Sequence, residues 1–485
     1  MSASLPLVPT NGLATTTPTR RPVAVELARK ASPLTPVRQL LRSVWFSLLL
    51  ASICLEGLGR RYLPWIPSAL FYFSKDIVLL LGLMRFRINP DVKRIFVSLY
   101  GDFSPFLKLA ILWTFAELIN PDQKSLALGL LGFRAYWFWW VAPLVVASVL
   151  LDPTVRRKVV LLQAGVTMIV AILAMLQFGS PVDDALNTYS VVDGEQSLAI
   201  EVATTGRARV SSTFSFISGF SDFAVLVPVL LLSIGLGEND RKARLAALIA
   251  TLFAAAALPM SGSRGSFAIS MALCTMVVWR AGLFFTRTGR RVIIIAVAAG
   301  FTLVFAFPDA LQGVMDRFEG DDTKDRAIEL LTILPPVALI KYDYTPLGVG
   351  TGMMQNFRGQ FGVYDDAQVA EGEVGRYLVE LGSIGYLLVW MAKLGLVVVL
   401  WRSSKILKRA GRRAPAAGAL AYALLGLYGS LTFDHIYSSL FFVGFGFIFQ
   451  EVVQVKLKPA PRPALDNGLT RVGPKTTALI SASVS

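Results

Sequence analysis

The chain has 485 residues, 54% hydrophobic and only 16% charged, with a mean hydropathy of +0.59 and a formal net charge of +15. A soluble domain is about a quarter charged and a disordered chain is poor in apolar residues, so both classes are excluded. The apolar residues come in long uninterrupted runs that lipid, not water, must solvate.

Residues 1–42 are rich in Pro, Thr, Ser and Arg and have no apolar core before Val44. They read as a disordered basic tail and not as a signal peptide. Residues 43–458 form the membrane domain, with about twelve expected spans. These lie near 44–58, 66–84, 105–118, 126–151, 159–178, 213–235, 245–260, 267–285, 292–307, 377–400, 416–432 and 436–453. Trp45, Tyr62, Trp65 and Trp401 mark span ends, as interfacial anchors do. Cys54 and Cys274 sit inside apolar runs and read as packing groups. Residues 459–485 read as a second disordered tail. The expected fold is all-α, a polytopic membrane helical bundle.

Lys and Arg set the expected orientation. Alternate loops carry Arg85/Arg87/Lys93/Arg94, Arg156/Arg157/Lys158, Arg241/Lys242/Arg244, Arg287/Arg290/Arg291 and Arg402/Lys405/Lys408/Arg409/Arg412/Arg413. Both tails are basic too, so the positive-inside rule puts both termini in the cytoplasm. Arg60 and Arg61, in the first outer loop, are the exception. The +15 is thus mostly a topological signal, and no nucleic-acid partner is expected.

Two outer loops, 179–212 and 308–375, are too long to be mere connections. The second holds an apolar stretch, 327–340, broken by Pro335 and Pro336 and suited to the membrane surface. Several chemistry-bearing residues collect outside. Arg209 precedes the sixth span in RVSSTF, and Arg264 stands in SGSRGS where a helix begins. A guanidinium beside free helix N–H groups suits phosphate oxygens; a snorkelling arginine is the plainer reading. Arg326 starts the surface segment, TPLGVGTG follows at 345–352, and VELGSIG at 379–385 enters the next span. The GVGTG run lacks the strand–turn–helix setting of a nucleotide site and reads as a flexible turn. His435, the one histidine, falls outside between the last two spans, where capping or packing is its ordinary role. Lys75, Asp76 and Arg134 lie within spans. Interhelical pairing or a cavity lining would account for them.

Taken in order, RVSSTF, SGSRGS, TPLGVGTG and VELGSIG resemble the O-antigen ligase and polymerase family of bacterial inner-membrane enzymes. The resemblance implies a glycosyltransferase of GT-C-like architecture, acting at the periplasmic face. It implies that a polyprenyl diphosphate carrier presents an oligosaccharide, which passes to another carrier-linked glycan (polymerase) or to a lipid acceptor (ligase). Arg209 and Arg264 match the family's diphosphate-binding arginines, and Arg326 sits where many members carry an arginine. Ligases place a His-Asn pair about nine residues before the Glu-x-Gly motif, where this chain has Glu371 and Gly372. That departure favours a polymerase of surface or exopolysaccharide, and the resemblance implies a chain-length regulator or flippase of the same pathway as partners.

On that reading Arg209, Arg264 and Arg326 neutralise the departing diphosphate. Glu371 is the first candidate for the base that takes the acceptor hydroxyl's proton, and His435 the second. The outer loops hold no Asp-x-Asp pair, so neither metal nor cofactor is expected. A flippase is the rival class. It would show internal repeats and broken midplane helices, and no repeat between the halves is visible.

Overall fold

The computed structural model describes residues 35–63, 65–188, 191–192, 195–196, 206–287, 290, 294, 305, 307–319, 334–341, 345–355, 358–361 and 372–457. Its compact unit spans Leu34–Val455. The helices are α1 (Pro36–Cys54), α2 (Glu56–Tyr62), α3 (Ser68–Arg85), α4 (Pro90–Tyr100), α5 (Ser104–Leu118), α6 (Leu126–Trp137), α7 (Ala142–Leu150) and α8 (Pro153–Gly179). They continue as α9 (Ile217–Gly237), α10 (Arg241–Ala257), α11 (Arg264–Arg280), α12 (Pro308–Glu319), α13 (Pro335–Lys341), α14 (Glu373–Arg409), α15 (Arg413–Tyr428) and α16 (His435–Leu457). One two-residue antiparallel pair, Val191–Val192 with Glu195–Gln196, is the only sheet among the described residues.

The architecture is all-α. Among the described residues, 8 helical segments are long and apolar enough to cross a membrane. α3, α11 and α15, of 18, 17 and 16 residues, occupy three further expected spans. The ninth, 292–307, lies almost wholly outside the described residues. The first helix begins at Pro36, well before the expected start at 44, because proline at the first turn has no N–H to leave unsatisfied. Pro335 and Pro336 likewise open a short helix, α13, where they were expected to break an apolar stretch.

Short polar residues start several of the helices. Asp152 accepts from Thr154 N (2.9 Å) and Val155 N (3.1 Å) ahead of α8. Asp240 accepts from Ala243 N (2.9 Å) ahead of α10. These caps satisfy N–H groups that lipid could not. α9 and α16 are buried along nearly their whole length and form the centre. α1, α3, α5 and α8 turn apolar faces outward, including Leu80, Met84, Leu112 and Ile169, as a lipid-solvated bundle does.

The loops sort to two ends of the bundle. At one end Glu451 receives both Arg156 (2.5 Å) and Arg412, Arg156 also reaches Glu238 (3.1 Å), and Arg157 pairs with Asp240 (3.2 Å). These belong to the loops expected to be cytoplasmic. At the other end Leu58 N donates to Thr213 O (3.1 Å), Arg209 reaches Ser261, and Asn120 reaches Gly348 O (2.8 Å). Those loops are the ones expected outside.

Candidate functional site

Arg209 and the SGSRGS turn come together, though 52 residues separate Arg209 from Ser261. Arg209 Nε donates to Ser261 O at 3.1 Å, and Val210 N donates to Met260 O at 3.2 Å. Gly262 turns the chain with φ +61°, and Ser263 then caps α11, accepting from Ser266 N at 3.4 Å. Arg264 is the first residue of α11. Both arginines are half-buried. Beside them, a Cβ built on Gly265 would meet no atom within 4 Å. Arg209 thus lies against the turn that leads into the N-terminus of α11, and a helix N-terminus is a place where an anion can be held.

The segment leading from Arg209 is rigid. Ser212 has φ +51°, the one positive value for a non-glycine among the described residues. Such a conformation persists only where surrounding contacts over-determine it. Here Gln177 Oε1 accepts from Ser212 N (2.7 Å), and Ser212 Oγ donates to Val170 O (2.6 Å). From the other side Arg61 donates to Ser211 Oγ (2.5 Å) and to Phe214 O, and Arg60 donates to Ser215 Oγ (3.2 Å). Arg60 and Arg61, the exception to the charge rule, therefore fix the segment that carries Arg209. Their departure from the positive-inside pattern was the sequence signal for this role.

Behind α2 lies a cluster of buried charges. Lys75 pairs with Glu56 at 2.5 Å, and Arg60 lies 3.7 Å from the same carboxylate. Asp76 binds Arg134 and accepts from Trp139 Nε1 at 3.1 Å. Lys75 and Asp76 thus have separate interhelical partners, as neighbours pointing apart on one helix must. The Arg134 guanidinium stands over the rings of Tyr72 (5.1 Å) and Phe73 (4.8 Å). His435 meets Tyr72 edge-on, with ring centroids 4.9 Å apart.

A third group joins two sequence motifs. α14 is interrupted at Gly382 (φ +66°, ψ −178°), inside VELGSIG. The TPLGVGTG loop fills the break: Val349 N donates to Val379 O (3.0 Å), Gly350 N to Glu380 O (3.2 Å), and Ser383 N to Thr345 O (3.0 Å). The Glu380 side chain accepts from Met354 N (2.8 Å) and Tyr136 Oη (3.1 Å). Glu117 accepts from Gly348 N (3.1 Å) and Asn120 Nδ2 (2.7 Å). The GVGTG run within this loop was expected to be a flexible turn. It is instead largely buried and pinned, while residues 345–347 stay exposed, because the broken helix offers it backbone partners and two buried glutamates finish the job.

The structure thus brings Arg209 and the Arg264 turn together and sets His435 beside Tyr72. Arg326 and Glu371 lie outside the described residues. Glu373, two positions on, is engaged: it accepts from Thr432 N and Oγ1 (both 3.0 Å) and pairs with Lys393 (2.7 Å). No group of three or more His, Cys, Asp and Glu side chains that could hold a metal occurs among the described residues. Glu56, Arg60, Arg61, Glu117 and Glu380 are the residues that sequence reasoning left without a role. No protein-family model matches the chain, and comparison with the curated proteins finds no match.

Proposed function

We propose that this chain is a membrane glycosyltransferase of the O-antigen polymerase and ligase type. It joins oligosaccharide units at the outer face of the bacterial inner membrane, taking glycan from a polyprenyl diphosphate carrier and passing it to an acceptor sugar hydroxyl. One observation carries the reading: Arg209 lies against the turn that starts α11 at Arg264. In the transfer, negative charge develops on the leaving diphosphate. The guanidinium groups of Arg209 and Arg264, at a helix N-terminus, stabilise that charge. The acceptor hydroxyl loses its proton as it attacks the anomeric carbon, and Glu371 is the candidate base. The four motifs, in order and all toward the expected outer face, support the assignment to this family. The Glu371 and Gly372 pair, in place of His-Asn, favours polymerase over ligase.

Transport is the second reading, and the break in α14 favours it, since transporters coordinate substrate at interrupted helices. Against it, the freed backbone groups at this break are taken by the 345–350 loop. Gel analysis of surface glycan in a deletion strain separates the readings. Single-repeat glycan indicates a polymerase, and glycan missing from its lipid anchor indicates a ligase. Unchanged glycan rejects both.

A further inference from the structure

The buried cluster behind α2 is unbalanced. Among the described residues Arg60, Lys75 and Arg134 stand against the carboxylates of Glu56 and Asp76, so cations outnumber anions by one. His435 stands within electrostatic reach of Arg134 and Lys75 and adds no negative charge. Asp434, next to His435 in the chain, is otherwise directed: it caps α16, accepting from Ile436 N (2.9 Å) and Tyr437 N (3.0 Å), and faces Asp222. Uncompensated charge in a membrane domain is costly and calls for a counter-charge. Donors here are also unspent. Arg60 Nε, Arg134 Nε and Nη1, and His435 Nε2 are buried with no hydrogen-bond partner among the described residues. Bidentate arginine groups of this kind suit tetrahedral oxyanions.

The cluster is also near lipid. α3, which carries Lys75 and Asp76, exposes Leu70, Ile77, Leu80, Leu81 and Met84. Tyr62 and Trp65, both exposed, mark the outer interface beside it. A headgroup in the outer leaflet is therefore close to Arg60.

We propose that Arg60, Arg134 and His435 form a second binding site for a phosphate-class anion, distinct from the Arg209/Arg264 turn. The site lies at the far end of the 209–215 segment and does not depend on the transfer reaction. Two sources share the chemistry, a phospholipid or polyprenyl headgroup and a soluble phosphate or diphosphate. Occupation would neutralise the charge excess and lock α2 against the segment that carries Arg209.

The test uses the full chain, purified in a neutral detergent and titrated calorimetrically with inorganic diphosphate. Wild type should show two sites. Arg60→Gln leaves Glu56 paired with Lys75, so the fold should survive. It should weaken one site by about tenfold or more, the loss of a charge-assisted hydrogen bond. His435→Phe keeps the ring on Tyr72, removes the ring nitrogens, and should weaken the same site. Arg264→Gln should weaken only the other. Both sites intact in Arg60→Gln and in His435→Phe overturns the proposal, whatever Arg264→Gln does. An unaffected second site in Arg264→Gln instead counts against the diphosphate role of Arg264. Repeating the titration in nanodiscs of phosphatidylglycerol and of phosphatidylcholine separates the sources. Competition by phosphatidylglycerol identifies a lipid headgroup as occupant, and equal affinity in both identifies a soluble anion.

Discussion

Gly382→Ala should uncouple the 345–355 loop from α14. The position has φ +66° with ψ near 180°, a region that only glycine enters freely. Holding alanine there costs about 1–3 kcal/mol. The new Cβ would also stand 2.3 Å from Pro346 O, and a backbone carbonyl cannot swing aside as a side chain can. Relieving that clash moves the loop and breaks the bonds from Val349 N, Gly350 N and Ser383 N. Each is worth about 0.5–1.5 kcal/mol net, so with the conformational cost the whole effect is about 2.5–7.5 kcal/mol. Gly348→Ala should act alike, since its Cβ would lie 2.0 Å from Glu380 O. Gly165→Ala in α8 is the control, because its Cβ meets nothing within 4 Å. The assay is size-exclusion chromatography of detergent-solubilised protein after heating, with trypsin cleavage at Arg358 as a local probe. Melting of Gly382→Ala at the wild-type temperature, with cleavage unchanged, would refute the reasoning.

Three further outcomes follow from the same geometry. Arg134→Ala leaves Asp76 buried with Trp139 as its remaining partner and should cost about 3–5 kcal/mol. Adding Asp76→Asn should restore part of that, and a double variant no more stable than the single would contradict the pairing. Glu451→Gln removes the charge that Arg156 and Arg412 share, and should lower thermal stability more than Asp102→Asn, whose pair with Arg402 is far more exposed. In a variant with Cys54 and Cys274 replaced, Asp122→Cys should label with an impermeant maleimide on cells with a permeabilised outer membrane, and Lys242→Cys should not. The reverse pattern would invert the assigned orientation.

Much of this bundle was legible because lipid imposes a simple code. Runs such as LVPVLLLSIGLG in α9 must be helical where water is absent, and the basic loops sort to one end. Boundaries slipped where a first-turn proline decided them, as at Pro36, which starts a helix inside a stretch read as tail. Charge partners were not legible at all. Lys75 and Asp76 announced that partners exist, but Glu56 and Arg134 are 19 and 58 positions away, and only packing selects them. The pairing of TPLGVGTG with VELGSIG was hidden for the same reason: a loop filling a broken helix joins two weak patterns through backbone atoms that carry no sequence signature. Arg60 and Arg61 were visible as an anomaly, and the bonds to Ser211, Phe214 and Ser215 give the anomaly its physical content.

The most direct test of the proposed transfer is Arg264→Ala, expressed in a deletion strain at wild-type membrane levels. The variant should make no polymer and should accumulate lipid-linked single repeats, because the departing diphosphate loses a fixed positive partner. Surface glycan of normal chain length in that strain would contradict the account.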